Sequence, residues 1–240
     1  MRLLLPAARP LGVDDLHDLY DPGEHPFLRG GFVITTDGGI AYDGDSRALQ
    51  SPTDEAVFHA LRAVADAVVV GAGTARSERY GPVRPRPAGQ AWRERHGRDA
   101  ALPLVIVSRA LDLDPAARCF QDPAVVVTCE AADAARRDLL AGVADVLVAG
   151  DEQIDLPAAV AALHDRGLTR LLCEGGPRLL TGLLQAGLVD ELCLTLTPLL
   201  LGSAPHLLTE GLACPRRLEL RHLIDGDDGV LLARYAIAAA

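Results

Sequence analysis

The chain has 240 residues, with 33 acidic and 23 basic side chains and a formal net charge of −10. The basic residues are all arginine, because the sequence contains no lysine, and this excludes a Schiff-base lysine and a lysine-dependent P-loop. The acidic balance argues against a nucleic-acid partner or an anionic membrane surface. An anionic ligand would have to bind arginine, backbone N–H groups or a helix N-terminus.

No run of the sequence reaches the roughly 20 apolar residues that span a bilayer, and the apolar run at 3–5 is too short for a signal peptide. The five cysteines are scattered and odd in number, which is typical of free thiols in a reducing compartment. We therefore expect a cytoplasmic protein without membrane contact. The length predicts one domain over 1–240, with an irregular lead-in at 1–26.

Apolar and glycine patterns predict alternating strands and helices along the chain. Regular structure begins with a β-prone run at 30–39, followed by a helix at 51–65 that has an acidic first turn. The run Ala67–Gly71 shows no polar alternation, as expected of a strand buried on both faces. Residues 75–100 are rich in Arg, Pro and Gly and predict an excursion or loop.

The alternation resumes after this segment and continues to the C-terminus. The predicted strands are Leu104–Val107, Ala124–Thr128, 145–149, 170–173, Glu191–Thr197, 217–223 and 230–237. The predicted helices are 131–141, Leu156–Asp165 and 177–186. This order predicts an α/β fold whose sheet is mostly parallel, with helices on both faces and an antiparallel hairpin at the C-terminal edge.

Two glycine-containing segments come directly after predicted strands. Gly71, Gly73 and Thr74 follow the first buried strand, where glycine lets a ligand approach the backbone and threonine can donate a hydrogen bond. Their spacing is not the G-x-G-x-x-G fingerprint, and a strand-ending turn is the alternative. Glu174 and two glycines follow a later strand, before a helix whose N-terminus favours an anion. Ligands of α/β sheets bind at this edge, although a plain strand–helix turn has the same composition.

Other polar residues are weaker candidates. Asp37 and the acids at 43–45 have ordinary turn composition, their spacing does not fit an EF-hand, and no Cys–His metal spacing occurs, so we expect no metal site. Arg62 lies on a predicted helix, where arginine usually faces solvent. Ser108 and Arg109, at the end of a strand, either bind a 2′-phosphate or form an exposed strand end.

Several segments together resemble a known family. They are FVITTDGGIA at 32–41, HALRAVADAVVVGAGT at 59–74, LLCEGGPRLLTGLLQAGLVDELCLTLTPLLLG at 171–202 and the closing strand pair. The chain resembles the reductase domain of bacterial riboflavin biosynthesis, and more closely its stand-alone pyrimidine-reductase-like relatives. This resemblance implies a three-layer, dihydrofolate-reductase-like fold with a mostly parallel central sheet and an antiparallel C-terminal edge.

The resemblance also implies an activity, the NADPH-dependent reduction of 5-amino-6-(5-phosphoribosylamino)uracil at C1′ of its opened ribose. It implies a homodimer, with the C-terminal strand pair as the contact. The candidate cofactor residues, including Ser108 and Arg109 from their own position, are Val33, Gly71, Gly73, Thr74, Ser108, Arg109, Gly175, Gly176, Pro177, Arg178, Leu179 and Leu180. The candidate substrate residues are Asp37, Ser46, Arg62, Arg84 and Glu174. No catalytic acid is identified.

The chain departs from the family at two places. The family often has Lys or Arg after its D-G turn, where this chain has Gly39, and the family's D-D-P-x-L-T-x-R loop is replaced by 78–84. The arginine of that loop helps to hold the substrate phosphate in the family, so Arg84 or Arg86 would have to substitute. Two alternatives stay open: a reductase of the same fold acting on a pteridine or dihydrofolate, which Trp92 in an Arg-rich loop disfavours, and a non-catalytic paralogue that binds a dinucleotide.

Overall fold

The computed structural model describes residues 1–238, which form eleven β-strands and seven α-helices. The strands are β1 (Arg2–Leu5), β2 (Arg9–Pro10), β3 (Phe27–Thr35), β4 (Ala67–Gly71), β5 (Leu104–Val107), β6 (Ala124–Thr128), β7 (Asp145–Val148), β8 (Arg170–Gly175), β9 (Glu191–Thr197), β10 (Leu218–Asp225) and β11 (Leu231–Ile237). The helices are α1 (Asp15–Tyr20), α2 (Pro52–Val64), α3 (Ala72–Ser77), α4 (Pro87–Arg95), α5 (Ala134–Ala141), α6 (Leu156–Asp165) and α7 (Pro177–Gln185).

All of these strands belong to one sheet, in the order β2-β1-β10-β11-β9-β3-β8-β4-β5-β6-β7. From β9 to β7 the neighbours run parallel, as crossover helices between strands require. From β9 through β11, β10 and β1 to β2 they run antiparallel. The prediction of a mostly parallel sheet with an antiparallel C-terminal edge is confirmed.

Helices cover both faces of the sheet, and β4 shows how its side chains divide between them. Val68 and Val70 pack into the core on one face, together with Leu61 of α2. Val69 points the other way and packs with Leu180 of α7, because successive strand residues face opposite sides. A strand buried on both faces has no polar side, which explains the continuous apolar run in the sequence.

Capping side chains decide where two of the helices begin. The Ser51 hydroxyl accepts the N–H of Asp54 at 3.1 Å, so α2 begins directly after it with Pro52 in the first turn, as predicted. The Asp133 carboxylate accepts the N–H of Arg136 at 2.8 Å. The α5 helix therefore begins three residues later than the apolar pattern predicts.

Two segments differ from the prediction. Residues 1–26 are not irregular, since β1 pairs with β10 and α1 buries Leu16 in the core. The segment 75–100 is not only a loop, since it contains α4, in which Trp92 and Arg93 are 1% and 2% exposed. The Arg93 guanidinium donates to backbone carbonyls at the end of α2. These short elements are stabilised by distant partners and contain too few apolar residues to show a period in the sequence.

Candidate active site

A cavity of about 630 Å³ opens at the carboxyl ends of the central parallel strands, between the sheet and α2. Its wall includes Val33 of β3, Phe58 of α2, Thr74 of α3 and the junction after β8 at Gly175. The carboxyl edge of a parallel sheet, where loops and helix N-termini meet, is the usual position of a ligand site in α/β folds.

A three-residue polar network forms one part of this wall. The Arg62 guanidinium donates through Nε and Nη2 to the two carboxylate oxygens of Glu174, both at 2.7 Å. The Tyr80 hydroxyl donates to Oε2 of Glu174 at 2.8 Å. The Phe58 ring also packs against the guanidinium, with 4.1 Å from the central carbon to the ring centre. Helix α2, strand β8 and the loop after α3 thus hold one rigid cluster.

The protonation states in this network are fixed by burial and by the Glu174 charge. Burial, reinforced by the negative charge of Glu174, raises the pKa of Tyr80, so the phenol keeps its proton. Burial works to lower the pKa of Arg62, but the Glu174 carboxylate outweighs it and raises that pKa above its usual value. The network therefore pairs a permanent Arg62 cation and a protonated Tyr80 hydroxyl with the Glu174 carboxylate over the whole physiological pH range.

Asp54 is a cavity residue that the sequence analysis did not single out. It lies in the first turn of α2, is 6% exposed and lines the cavity. Burial raises its pKa to about 6, against the hydrogen bond from Thr195 that lowers it. An acid in a first helical turn is ordinarily explained by the helix dipole. The sequence does contain a pattern that indicates a role in the site. Asp54, Phe58 and Arg62 are spaced four residues apart and therefore share one face of the helix.

The junction after β8 leaves room for a ligand because it is built from glycine. A Cβ on Gly176 would lie 2.5 Å from the Thr74 hydroxyl, so a larger residue here would require the Thr74 side chain or the backbone to move. Gly176 also caps α7, and no side chain among the described residues satisfies the first N–H groups of that helix. Free amides and the helix dipole suit a phosphate, so these residues fit a dinucleotide.

The structure brings about half of the sequence-predicted site residues together in the cavity wall. These are Val33, Ser46, Arg62, Thr74, Glu174, Gly175, Gly176 and Pro177. Gly71 lies just outside it, where a Cβ would be 3.4 Å from the backbone nitrogen of Gly176. Leu179 and Leu180 are on the buried face of α7, and Gly73 and Arg178 are exposed outside the wall.

The remaining predicted residues have other partners. The Ser108 hydroxyl accepts the N–H of Leu111 at 3.0 Å, and Arg109 donates to the carbonyl of Glu152 at 2.8 Å, both beyond the end of β5. Arg84 pairs with Asp122 on the surface, with an N–O distance of 2.8 Å. None of these residues lines the cavity.

The D-G-G turn at the end of β3 has a structural explanation. Asp37 accepts a hydrogen bond from the Thr35 hydroxyl and from the backbone N–H groups of Gly202 and Leu201, and the Thr35 bond contributes most to lowering its pKa. A Cβ on Gly39 would lie 2.9 Å from the Ala204 side chain, so the long basic residue of relatives has no room here.

Two further findings concern metal binding and membrane-spanning helices. Within residues 1–238, no three His, Cys, Asp or Glu side chains are placed to hold a metal ion. In the same part of the chain, no helix combines the length and the apolar character needed to cross a membrane.

Comparison with known proteins agrees with this architecture. The chain is 32% identical over 183 residues to a protein of Methanothermobacter thermautotrophicus named 2,5-diamino-6-ribosylamino-4(3H)-pyrimidinone 5′-phosphate reductase, covering 74% of this chain and 80% of that one. A pyrimidine reductase-like protein from Corynebacterium diphtheriae superposes with a TM-score of 0.85 at 28% identity, over 94% of this chain and 99% of that one. Dihydrofolate reductase from Enterococcus faecalis, at 12% identity, shares the fold with a TM-score of 0.51 over 89% and 97% of the two chains.

The family assignment follows from a longer match. The profile of the RibD C-terminal domain matches residues 26–232, which covers the strands from β3 to β10 and the start of β11. The matched relatives are named as reductases or as the riboflavin biosynthesis protein RibD. The chain belongs to the RibD C-terminal domain family and is a reductase with a dihydrofolate-reductase-like fold, as its motifs predicted.

Proposed function

We propose that the chain reduces a 6-(ribosylamino)pyrimidine 5′-phosphate of riboflavin biosynthesis and that NADPH is the reductant. We also propose that residues 1–240 form a single reductase domain. The observation that carries this proposal is the cavity itself, which joins the Arg62–Glu174–Tyr80 network to the Gly175–Gly176 junction. The network offers fixed polar groups for a sugar, and the junction offers free backbone amides for a dinucleotide. A single site that binds both ligands is what hydride transfer requires.

The dinucleotide would be held by Thr74, Gly175, Gly176 and the first turn of α7. Val33, which lines the same cavity, would contact the nicotinamide end. When bound, NADPH supplies the hydride that reduces C1′ of the opened ribose. The protein contributes position and an apolar surround, because Phe58 and other apolar side chains of α2 line the same cavity.

The substrate sugar would meet the polar network. Both donors that Arg62 directs at Glu174 are engaged, and no acceptor among the described residues occupies its Nη1, so that group is available to a sugar oxygen. Because Glu174 fixes the guanidinium in two places, this donor has one orientation. Tyr80 keeps its proton on the hydroxyl oxygen and holds the carboxylate from the other side.

Asp54 favours a 2-amino ring over a uracil. The resemblance implies the uracil substrate, whereas the archaeal relatives are named for the 2,5-diamino-4(3H)-pyrimidinone. The diamino ring presents two adjacent donors, its 2-amino group and N3–H, which match the two oxygens of an ionised carboxylate. Uracil has a carbonyl at C2 in place of the amino group. That carbonyl oxygen and one oxygen of Asp54 are both acceptors, so they would repel each other. We therefore propose the 2,5-diamino compound as the preferred substrate.

The experiment is to follow NADPH oxidation by purified protein with each pyrimidine in turn, and with dihydrofolate as a third arm. We expect turnover with both pyrimidines and a higher kcat/KM for the diamino compound. A higher value for the uracil compound would contradict the role of Asp54. Oxidation with dihydrofolate alone, or with none of the three, would overturn the proposed function. Replacing NADPH by NADH tests the choice of dinucleotide.

We also propose a homodimer that forms through the outer face of the β10–β11 hairpin. Leu218 and Leu220 are 39% and 41% exposed, and they pair with Ile237 and Tyr235 of β11. Leu231, 37% exposed, lies on the same face further along β11 because it is an even number of residues from both partners. An exposed apolar sheet face of this kind is typical of an interface. Light scattering should give a dimer, and Leu220→Asp should give a monomer.

A cytoplasmic location is proposed from the thiols. All five cysteines are free, and four of them are buried. Free buried thiols are typical of a reducing compartment. Recovery of the protein in an exported fraction of its cells would contradict this location.

A further inference from the structure

Four arginines line the cavity, and two of them are already neutralised. Arg62 is paired with Glu174. Arg47 is paired with Asp45 through its Nε and Nη2 groups, and the charge of Glu78 also acts on it. Arg79 and Arg118 are the other two, and in the part of the chain that the structure describes neither guanidinium has a hydrogen bond or an ion pair.

Arg118 reaches the cavity from an unexpected part of the chain, the connection between β5 and β6. It begins a short 3-10 turn, Arg118–Phe120, that is anchored by the buried Cys119, which is 5% exposed. Its guanidinium packs against the backbone of the loop after α3, since a Cβ on Gly81 would lie 3.3 Å from Nη2. Gly81 therefore provides the space in which this cation lies beside the cavity.

The arginines that the sequence offered for a phosphate are engaged elsewhere. Arg84 pairs with Asp122 at 2.8 Å, and Arg86 pairs with Glu55 at 2.5 Å, both with side chains more than half exposed. Neither lines the cavity. A substrate that carries a phosphate into this cavity would meet Arg118 and Arg79 as its unpaired cations.

We propose that Arg118, assisted by Arg79, binds the 5′-phosphate of the substrate. The guanidinium of Arg118 offers paired N–H donors that match phosphate oxygens, and no carboxylate within residues 1–238 pairs with it. The main phosphate contact thus comes from the β5–β6 connection, and the loop that follows α3 contributes Arg79. This inference rests on the proposed function for the identity of the phosphate ester, but the anion site itself can be tested without turnover.

The first test is kinetic and compares Arg118→Ala with Arg166→Ala, a surface arginine paired with Asp145 at 3.3 Å. Arg118→Ala should raise KM for the 5′-phosphate substrate about 10- to 100-fold, as expected for the loss of a charged hydrogen bond, with little change in kcat. The KM of the dephosphorylated substrate and of NADPH should not change. Arg118→Lys should raise this KM less than Arg118→Ala does, and Arg79→Ala should also give a smaller increase. If Arg84→Ala raised KM for the 5′-phosphate substrate and Arg118→Ala did not, the assignment of Arg118 to the phosphate would be overturned.

The second test measures binding of ribose 5-phosphate and of ribose by calorimetry. Wild-type protein should bind the phosphate ester about 10-fold more tightly, and Arg118→Ala should remove the difference. Equal binding of the two sugars by wild-type protein would overturn the inference. If no pyrimidine is reduced but the preference for ribose 5-phosphate depends on Arg118, the proposed function fails and the anion site stands. Thermal melts of each variant check that the fold is retained.

Discussion

Arg62 and Glu174 lie 112 residues apart in the chain and form a two-point ion pair, with both N–O distances at 2.7 Å. The pair joins α2 to the end of β8. The Glu174 side chain is 2% exposed and that of Arg62 15%, so water competes weakly for either group. The arginine is therefore oriented before any substrate arrives, which lowers the cost of ordering it during binding.

Replacing Arg62 by Lys tests this orientation. Lysine keeps the charge that neutralises Glu174 but cannot form the two parallel bonds that fix a guanidinium. We expect KM for the pyrimidine to rise about 10-fold or more, while the affinity for NADPH stays within about 2-fold. Steady-state kinetics and a fluorescence titration of the dinucleotide measure the two effects. Equal losses of both affinities would show that Arg62 does not contact the substrate.

Tyr80→Phe removes one donor from Glu174 while leaving Arg62 in place. The lost bond is 2.8 Å long and ends on a buried carboxylate. We expect the free energy of unfolding to fall by about 1 to 3 kcal/mol, because a hydrogen bond to a charged group is stronger than a neutral one. Urea unfolding measures this change. Tyr42→Phe, at an exposed tyrosine, is the matched control and should be neutral.

Gly176→Ala tests the close approach of β8 to α3. The added Cβ would lie 2.5 Å from the Thr74 hydroxyl, so either that side chain or the glycine backbone must move. We expect weaker NADPH binding, because both groups belong to the proposed dinucleotide site. Gly211→Ala is the control, because its Cβ would meet no atom within 4 Å. Unchanged NADPH affinity in Gly176→Ala would remove this junction from the dinucleotide site.

Asp54 should make the stability of the protein depend on pH. Burial raises the pKa of its carboxyl from 3.8 to about 6, so the folded state favours the protonated form. Relative to the neutral Asp54→Asn variant, the wild type should lose stability as pH rises from about 4 through about 6, by up to about 3 kcal/mol at pH 8. Urea unfolding at several pH values measures the difference. A difference that is constant across this range would contradict the raised pKa.

Glu191 should show the opposite dependence. Its carboxylate accepts from Arg29 at 2.8 Å and from Arg234 at 2.6 Å. Burial alone would raise its pKa, but the hydrogen bond from Arg234 and the charge of Arg29 outweigh burial and lower it. The ionised Glu191 therefore stabilises the folded state at pH values above the ordinary pKa of 4.5, and this stabilisation is lost as pH falls through the lowered pKa. Glu191→Gln leaves the buried Arg29 and the partly buried Arg234 without their counter-ion. We expect a loss of roughly 3 kcal/mol in the free energy of unfolding at pH 7 that shrinks at low pH.

Local sequence patterns were sufficient to predict most of the strands and helices. The continuous apolar run of β4 and the Ser51 cap of α2 are properties of a few adjacent residues, so they are visible without tertiary structure. The elements missed were those stabilised from a distance. Strand β1 is paired with β10 at the other end of the chain, and α4 is held by Trp92 and Arg93 packed beneath α2.

The sequence by itself determined the alternation of strands and helices from β3 onward and the glycines at the strand ends, because these depend on backbone conformation and local periodicity. It also carried the motifs by which the chain resembles its family. The tertiary structure alone decided which charged residues are free to act. Arg84 and Arg118 look equivalent in the sequence, yet Asp122 neutralises the first and the second lies unpaired beside Gly81. Asp54 likewise became a titratable cavity residue only through burial. The environment of a charge is made by residues distant in the chain, and that environment sets its pKa and its availability to a ligand.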